Sequence, residues 1–198
     1  MRIQRLIAYT FAICLLSLMA GTGMADDGSG QYNWLLNGKY QFNINQSCAS
    51  SNVKDPPGFN GVVSVAPGES NPAYFTGVIT FDGHGNATQT DHGIFFIGPQ
   101  LRTEGGTAPV GTFVEECHYT YRVARDGSFS YGGSCTASDG SYKLSNDTWK
   151  GQIALGGLVL LTNQVVTDVS TLEFPAGGPI SLYRICGSVG TLVRIQPQ

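Results

Sequence analysis

Beyond residue 37 the chain alternates apolar and polar positions with a period of two, and it does so again and again. In "GKYQFNIN" (38–45) Tyr40, Phe42 and Ile44 alternate with Lys39, Gln41 and Asn43. In "NPAYFTGVITF" Phe75, Gly77, Ile79 and Phe81 share one face. "NATQTDHGIFFI", "VGTFVEECHYTYRVA" (110–124), "SFSYGGSCTA" (128–137), "SYKLSND" (141–147), "GQIAL", "LVLLTNQVV", "TLEF", "ISLYRICG" and "TLVRIQ" continue the series. Side chains of a strand point to opposite faces in turn, so such runs are half-buried strands. No window carries the three-to-four spacing of an amphipathic helix. Strands separated by regular turn signals predict an all-β fold: an antiparallel, mostly up-and-down barrel of about 8–10 strands, with a β-sandwich as the alternative.

The turns are legible as well. Between Phe81 and Ala87 lie Asp82, Gly83, His84, Gly85 and Asn86. Asp and Asn bond to nearby backbone and glycine supplies positive φ, which is what a hairpin needs. Read as an EF-hand calcium loop from Asp82, position three is His84 and position twelve is Gly93, so the donor pattern fails. A second hairpin signal is Asp126-Gly127. A three-residue loop Arg125-Asp126-Gly127 sets Val123 opposite Phe129, Tyr121 opposite Tyr131, Tyr119 opposite Gly133 and Cys117 opposite Cys135. Directly opposed residues are within disulfide reach, and a two-residue loop would send the cysteines to opposite faces.

Three connections break the pattern with proline and glycine: 52–72, 98–109 and 175–179. If the fold is a barrel, such loops would surround its mouth; as inert surface loops they fit equally well.

The N-terminus reads differently. Arg2 and Arg5 precede an apolar run from Leu6 to Ala20, and Gly23 and Ala25 suit signal-peptidase cleavage after Ala25, with Ala20 as the alternative. The run falls short of the roughly 20 apolar residues of a membrane span. The expected organisation is a signal peptide over 1–25, a flexible polar segment over 26–37 and one domain over 38–198, with no membrane span after cleavage. Export implies an oxidising compartment, periplasmic or extracellular. There the four remaining cysteines, Cys48, Cys117, Cys135 and Cys186, form two disulfides. With Cys117 paired to Cys135, Cys48 is left for Cys186, a bond that would tie the first strand to the penultimate strand segment.

Removing 1–25 takes away two arginines and no acid, leaving nine basic against fourteen acidic residues, a net charge of −5 with the histidines neutral. No basic run remains for nucleic acid or an anionic membrane surface.

Chemistry is sparse. There is no nucleophile elbow, zinc-protease helix, P-loop or dinucleotide fingerprint, so neither an enzyme class nor a cofactor is indicated, and the cysteine spacing gives no metal knuckle. The three histidines are His84, His92 and His118. Glu116, His118 and Arg122 share one strand face, which lines a cavity or meets solvent. Tyr119, Tyr121 and Tyr131 stack on a sugar or an apolar ligand, or pack across strands. The ligand-binding candidates are Glu116, His118, Tyr119 and Tyr121. Asn45, Asn86 and Asn146 each open an Asn-x-Ser/Thr triplet.

"LNGKYQF", "GVITFDGHGNAT", "YRVARDGSFSY" and the late "LVLL" strand resemble those of small exported bacterial β-barrel proteins of uncharacterised function. The order is also loosely lipocalin- or calycin-like, with an early Gly-x-aromatic strand, hairpins in sequence, and Arg184 or Arg194 late in the chain. Lipocalins set such an arginine against an early tryptophan; Tyr40 stands in that place here, and Trp34 lies outside the motif. The resemblance implies a secreted or periplasmic module that binds a small apolar or amphipathic ligand, or a protein partner. A small-barrel enzyme of isomerase type, or a structural surface protein with a filled core, are the alternatives.

Overall fold

The computed structural model describes residues 30–51, 70–96, 110–164, 169–175 and 180–195. The expected signal segment 1–25 and most of the three long connections lie outside them. Nine strands follow in order: β1 Asn37–Ser51, β2 Ser70–Asp82, β3 Asn86–Phe96, β4 Val110–Val123, β5 Ser128–Ala137, β6 Lys143–Ala154, β7 Val159–Gln164, β8 Ser170–Phe174 and β9 Ile180–Arg194.

Each strand from β1 to β6 pairs antiparallel with the next, and β9 returns to β1. The wall is therefore closed. β7 and β8 both lie between β6 and β9: β7 pairs with the later part of β6 and β8 with its beginning. They act as two pieces of one wall position, giving an eight-position antiparallel barrel of the kind the alternation predicts. Two pairs of segments that look separate in sequence are single strands. "SYKLSND" and "GQIAL" merge into β6, and "ISLYRICG" and "TLVRIQ" into β9. A closed wall needs long strands, and pairing on both sides carries the chain through polar residues that would otherwise read as turns.

The predicted hairpin register is the observed one. Val123 faces Phe129, Tyr121 faces Tyr131 and Cys117 faces Cys135. Gly127 has φ 81°, and the Ala124 N–H donates to Ser128 O at 2.8 Å. Cys117–Cys135 and Cys48–Cys186 are both disulfides, each between directly opposed residues on the inner face. The first staples one hairpin and the second staples the seam where β9 meets β1.

The 82–86 turn is organised by one carboxylate. Asp82 Oδ1 accepts from the backbone N–H groups of His84, Gly85 and Asn86, and Oδ2 accepts from Asn86 Nδ2. With its carboxylate engaged by its own loop, the Asp82 corner is a strand reversal.

Inner positions hold an aromatic core. Tyr40, Phe42, Phe75, Phe81, Tyr119, Tyr121, Phe129, Tyr131 and Trp149 are all buried. Phe129 stacks on Tyr131 and Tyr131 on Trp149, at interplanar angles of 15° and 7°. At the end holding the tight hairpins, Asn33–Leu35 forms a 3₁₀ turn and Leu36 is fully buried. Asn33 Oδ1 accepts from the Val123 N–H at 2.9 Å, and the Tyr121 hydroxyl lies 2.7 Å from Leu36 O. The later part of the polar N-terminal segment thus plugs that end of the barrel.

Candidate functional site

Toward the opposite end, at the ends of β1, β3 and β8, the described side chains do not fill the interior. A cavity of about 270 Å³ lies there. Its apolar lining includes Phe75, Phe95, Phe113, Leu144, Trp149, Leu172 and Phe174; its polar lining includes Gln46, Gln89, Glu115, Tyr119, Tyr142, Asp147 and Arg184.

Apart from Tyr142, which precedes β6, these polar groups enter the interior by plain strand alternation, with one exception. On β4 the inward residues are Glu115, Cys117, Tyr119, Tyr121 and Val123. On β3 they include Gln89 and Asp91, and Asp91 sits directly opposite Glu115. The exception is on β6. Opposite Gly133 and Ser134 the register shifts, with Asn146 as the extra residue at φ 56°. A bulge of this kind re-aims the side chains that follow it. Leu144 and Asp147, three apart, both face inward as a result, and Asp147 is 3% exposed.

Asp147 is well supplied with donors. Its Oδ2 accepts from Tyr119 Oη at 3.0 Å and Trp149 Nε1 at 2.6 Å, and its Oδ1 from Gln164 Nε2 at 2.7 Å. Gln46 Nε2 in turn donates to Gln164 Oε1 at 2.7 Å, tying β1 to β7 through the interior. Burial pushes the Asp147 carboxyl upward, against the Trp149 N–H, the Arg184 charge and the Tyr119 hydroxyl. Glu115 accepts from Tyr142 Oη at 2.8 Å through Oε2. No bond to protein engages its Oε1 among the described residues. Burial pushes Glu115 well above the ordinary carboxylate range; the Tyr142 bond and Arg184 oppose this, and the Asp147 charge adds to it. Asp91 is pushed up by burial and then by the facing Glu115, with Gln89 opposing through a 2.5 Å bond to Oδ2. Its Oδ1 is buried without a partner.

Among the described residues, Arg184 is the one guanidinium near these three carboxyl groups. It borders the cavity and its Nε is buried without a hydrogen-bond partner. Burial acts against its charge, while Asp147 and Glu115 support it. Tyr119, whose hydroxyl also lies 3.2 Å from Cys135 Sγ, is held well above the normal phenol range by burial and then by the Asp147 charge. Glu115, Cys117 and Cys135 cluster closely enough to suggest metal ligands. Both sulfurs are consumed by the disulfide, and a disulfide sulfur is not the thiolate a metal binds.

The four sequence candidates divide between the two faces of β4. Tyr119 lines the cavity; Tyr121 is buried nearer the plugged end. Glu116 and His118 are exposed on the outside of the barrel, as are His84 and His92, so no histidine reaches the cavity. Asn45, Asn86 and Asn146 are exposed too. Glu115 was legible in principle: with Cys117, Tyr119 and Tyr121 inward, its position two before Cys117 puts it inward as well. Asp147 was not, because its face depends on the bulge.

The solved structure of an S-type phycobiliprotein lyase, CPES from Guillardia theta, aligns over 89% of this chain and 96% of its own, at 10% sequence identity and a TM-score of 0.31. No family model and no curated protein matches the chain. The barrel is established by the strand pairing described above, not by that likeness.

Proposed function

We propose that this protein is an exported binding module that holds a small, largely apolar ligand inside the barrel. The cavity carries the reading. Buried aromatic side chains crowd the interior toward the plugged end, yet the described residues leave a void of about 270 Å³ toward the other. This is just under the roughly 300–1,000 Å³ of typical ligand sites, so the occupant is small. Aromatic and leucine side chains supply the walls, and a few convergent polar groups would orient the ligand, the usual division of labour in such sites. The two disulfides suit an oxidising compartment and so support export. The contact of Arg194 with Tyr40 supports the lipocalin-like resemblance, with tyrosine in the tryptophan's place.

The test is native mass spectrometry of protein purified from its own host. A retained small-molecule mass is expected, and it should disappear in Ala73→Trp, which places an indole in the cavity. A mass accounted for by polypeptide with two disulfides in both proteins would overturn the reading.

A further inference from the structure

The charge inventory of the cavity points to the class of ligand. Among the described residues, three carboxyl groups, Asp91, Glu115 and Asp147, are buried inside the barrel, against the single guanidinium of Arg184. Arg184 acts favourably on both Asp147 and Glu115. Asp147 in addition accepts from Tyr119, Trp149 and Gln164. Glu115 has fewer donors. It is 7% exposed and lines the cavity, one oxygen takes a single phenol bond, and the other has no protein donor among the described residues. A buried carboxylate lacking a full set of donors is costly, and a cation beside it removes the cost. The walls nearby suit a cation as well. Phe75 packs against Phe113 at 6.1 Å and Trp149 at 6.4 Å between ring centroids, and all three rings line the cavity. Aromatic faces carry the negative side of a quadrupole and attract ammonium groups.

We propose that the cavity selects a small organic cation, an amine on an apolar body, with its ammonium against Glu115 and its body between Phe75, Phe113 and Trp149. This rests on the reading of the cavity as a ligand site. Arg184 sets the competing possibility, an anionic ligand. Its charge already acts on Asp147 and Glu115, and with more than one of the three carboxyls ionised the described interior groups are net negative, which disfavours a further anion.

Amine binding draws Glu115 into its ionised form, so affinity falls as pH is lowered. The groups that shape this response come from every facing element: Asp91 on β3, Glu115 and Tyr119 on β4, Tyr142 before β6, Asp147 on β6 and Arg184 on β9.

The experiment is isothermal titration calorimetry of the full exported chain with three probes of one shape: phenethylamine, uncharged phenethyl alcohol and anionic hydrocinnamate. At about pH 8.5 the amine should bind about tenfold or more tightly than the other two, the scale of one charge-assisted contact. Its affinity should decline toward about pH 5.5 while that of the alcohol stays level. Glu115→Gln, which keeps an acceptor for Tyr142, should erase the amine preference by lowering amine affinity to the level of the alcohol in the same variant. Hydrocinnamate or the alcohol binding at least as tightly as the amine would overturn the proposal and leave the ligand cavity standing. A preference that survives in Glu115→Gln, or a flat pH profile in the wild type, would also overturn it. Binding by none of the three would count against both readings.

Discussion

The guanidinium of Arg194 lies 5.2 Å from the centroid of the Tyr40 ring and donates to its hydroxyl from Nε at 3.0 Å and Nη2 at 2.6 Å. The Tyr40 hydroxyl donates onward to Gly157 O at 2.9 Å, and Arg194 Nη2 also reaches Asn37 O at 3.0 Å. First strand, last strand and the β6–β7 turn thus meet at one phenol. Tyr40→Phe leaves the Gly157 carbonyl and part of Arg194 without partners. Each of Tyr40→Phe and Arg194→Ala should cost about 1–3 kcal/mol, read as a lowered urea midpoint with an unchanged slope. No loss in either variant would show that this contact does not hold the end closed.

The two disulfides should not be worth the same. Cys48–Cys186 spans 138 residues and Cys117–Cys135 spans 18. Closing the longer loop removes more unfolded-chain entropy, by about 2 kcal/mol in the chain-entropy model. A Cys48→Ala/Cys186→Ala double variant should therefore unfold at lower denaturant than Cys117→Ala/Cys135→Ala. Equal losses would locate the stabilisation in local packing instead.

The interior carboxyls make stability depend on pH in an unusual direction. Asp91 and Glu115 are both raised in the folded protein, by burial first. The folded state then binds protons that the unfolded chain releases. The stability they confer is fully present below the ordinary carboxylate range and is lost as pH rises into the neutral range, by up to about 1.4 kcal/mol per group for each pH unit. Thermal midpoints should fall from about pH 4.5 toward about pH 8. Asp91→Asn should flatten that slope and be more stable than wild type at the alkaline end. A slope equal to that of the wild type would remove Asp91 from the account.

In the 82–86 turn, burial acts to raise the Asp82 carboxyl, but the Asn86 amide and the backbone N–H groups of Asn86, His84 and Gly85 together outweigh it and hold Asp82 at about 2. Asp82→Ala should cost roughly 1 kcal/mol, with thermal denaturation as the readout. Added calcium should not raise the wild-type midpoint; a calcium-dependent rise would revive the metal-loop reading.

Much of this protein follows from local rules in its sequence. Alternation at Tyr40, Phe42 and Ile44 marks an inner face, and Asp126-Gly127 fixes a hairpin whose register carries Cys117 to Cys135. These features depend on near neighbours and on a period of two, so they are written along the chain. The cavity is another matter. Whether Glu115 or Glu116 faces inward is settled by which side of β4 the barrel closes on, although Tyr119 and Tyr121 hint at it. Asp147 points inward only because the alternation slips at Asn146, and Arg184 meets Asp147 and Glu115 only because β9 returns across the seam to β1. Those meetings join residues far apart in sequence, and their energies depend on burial and distance in three dimensions. A one-dimensional pattern can name the acids and the arginine, but closure of the wall is what sets them around a common space.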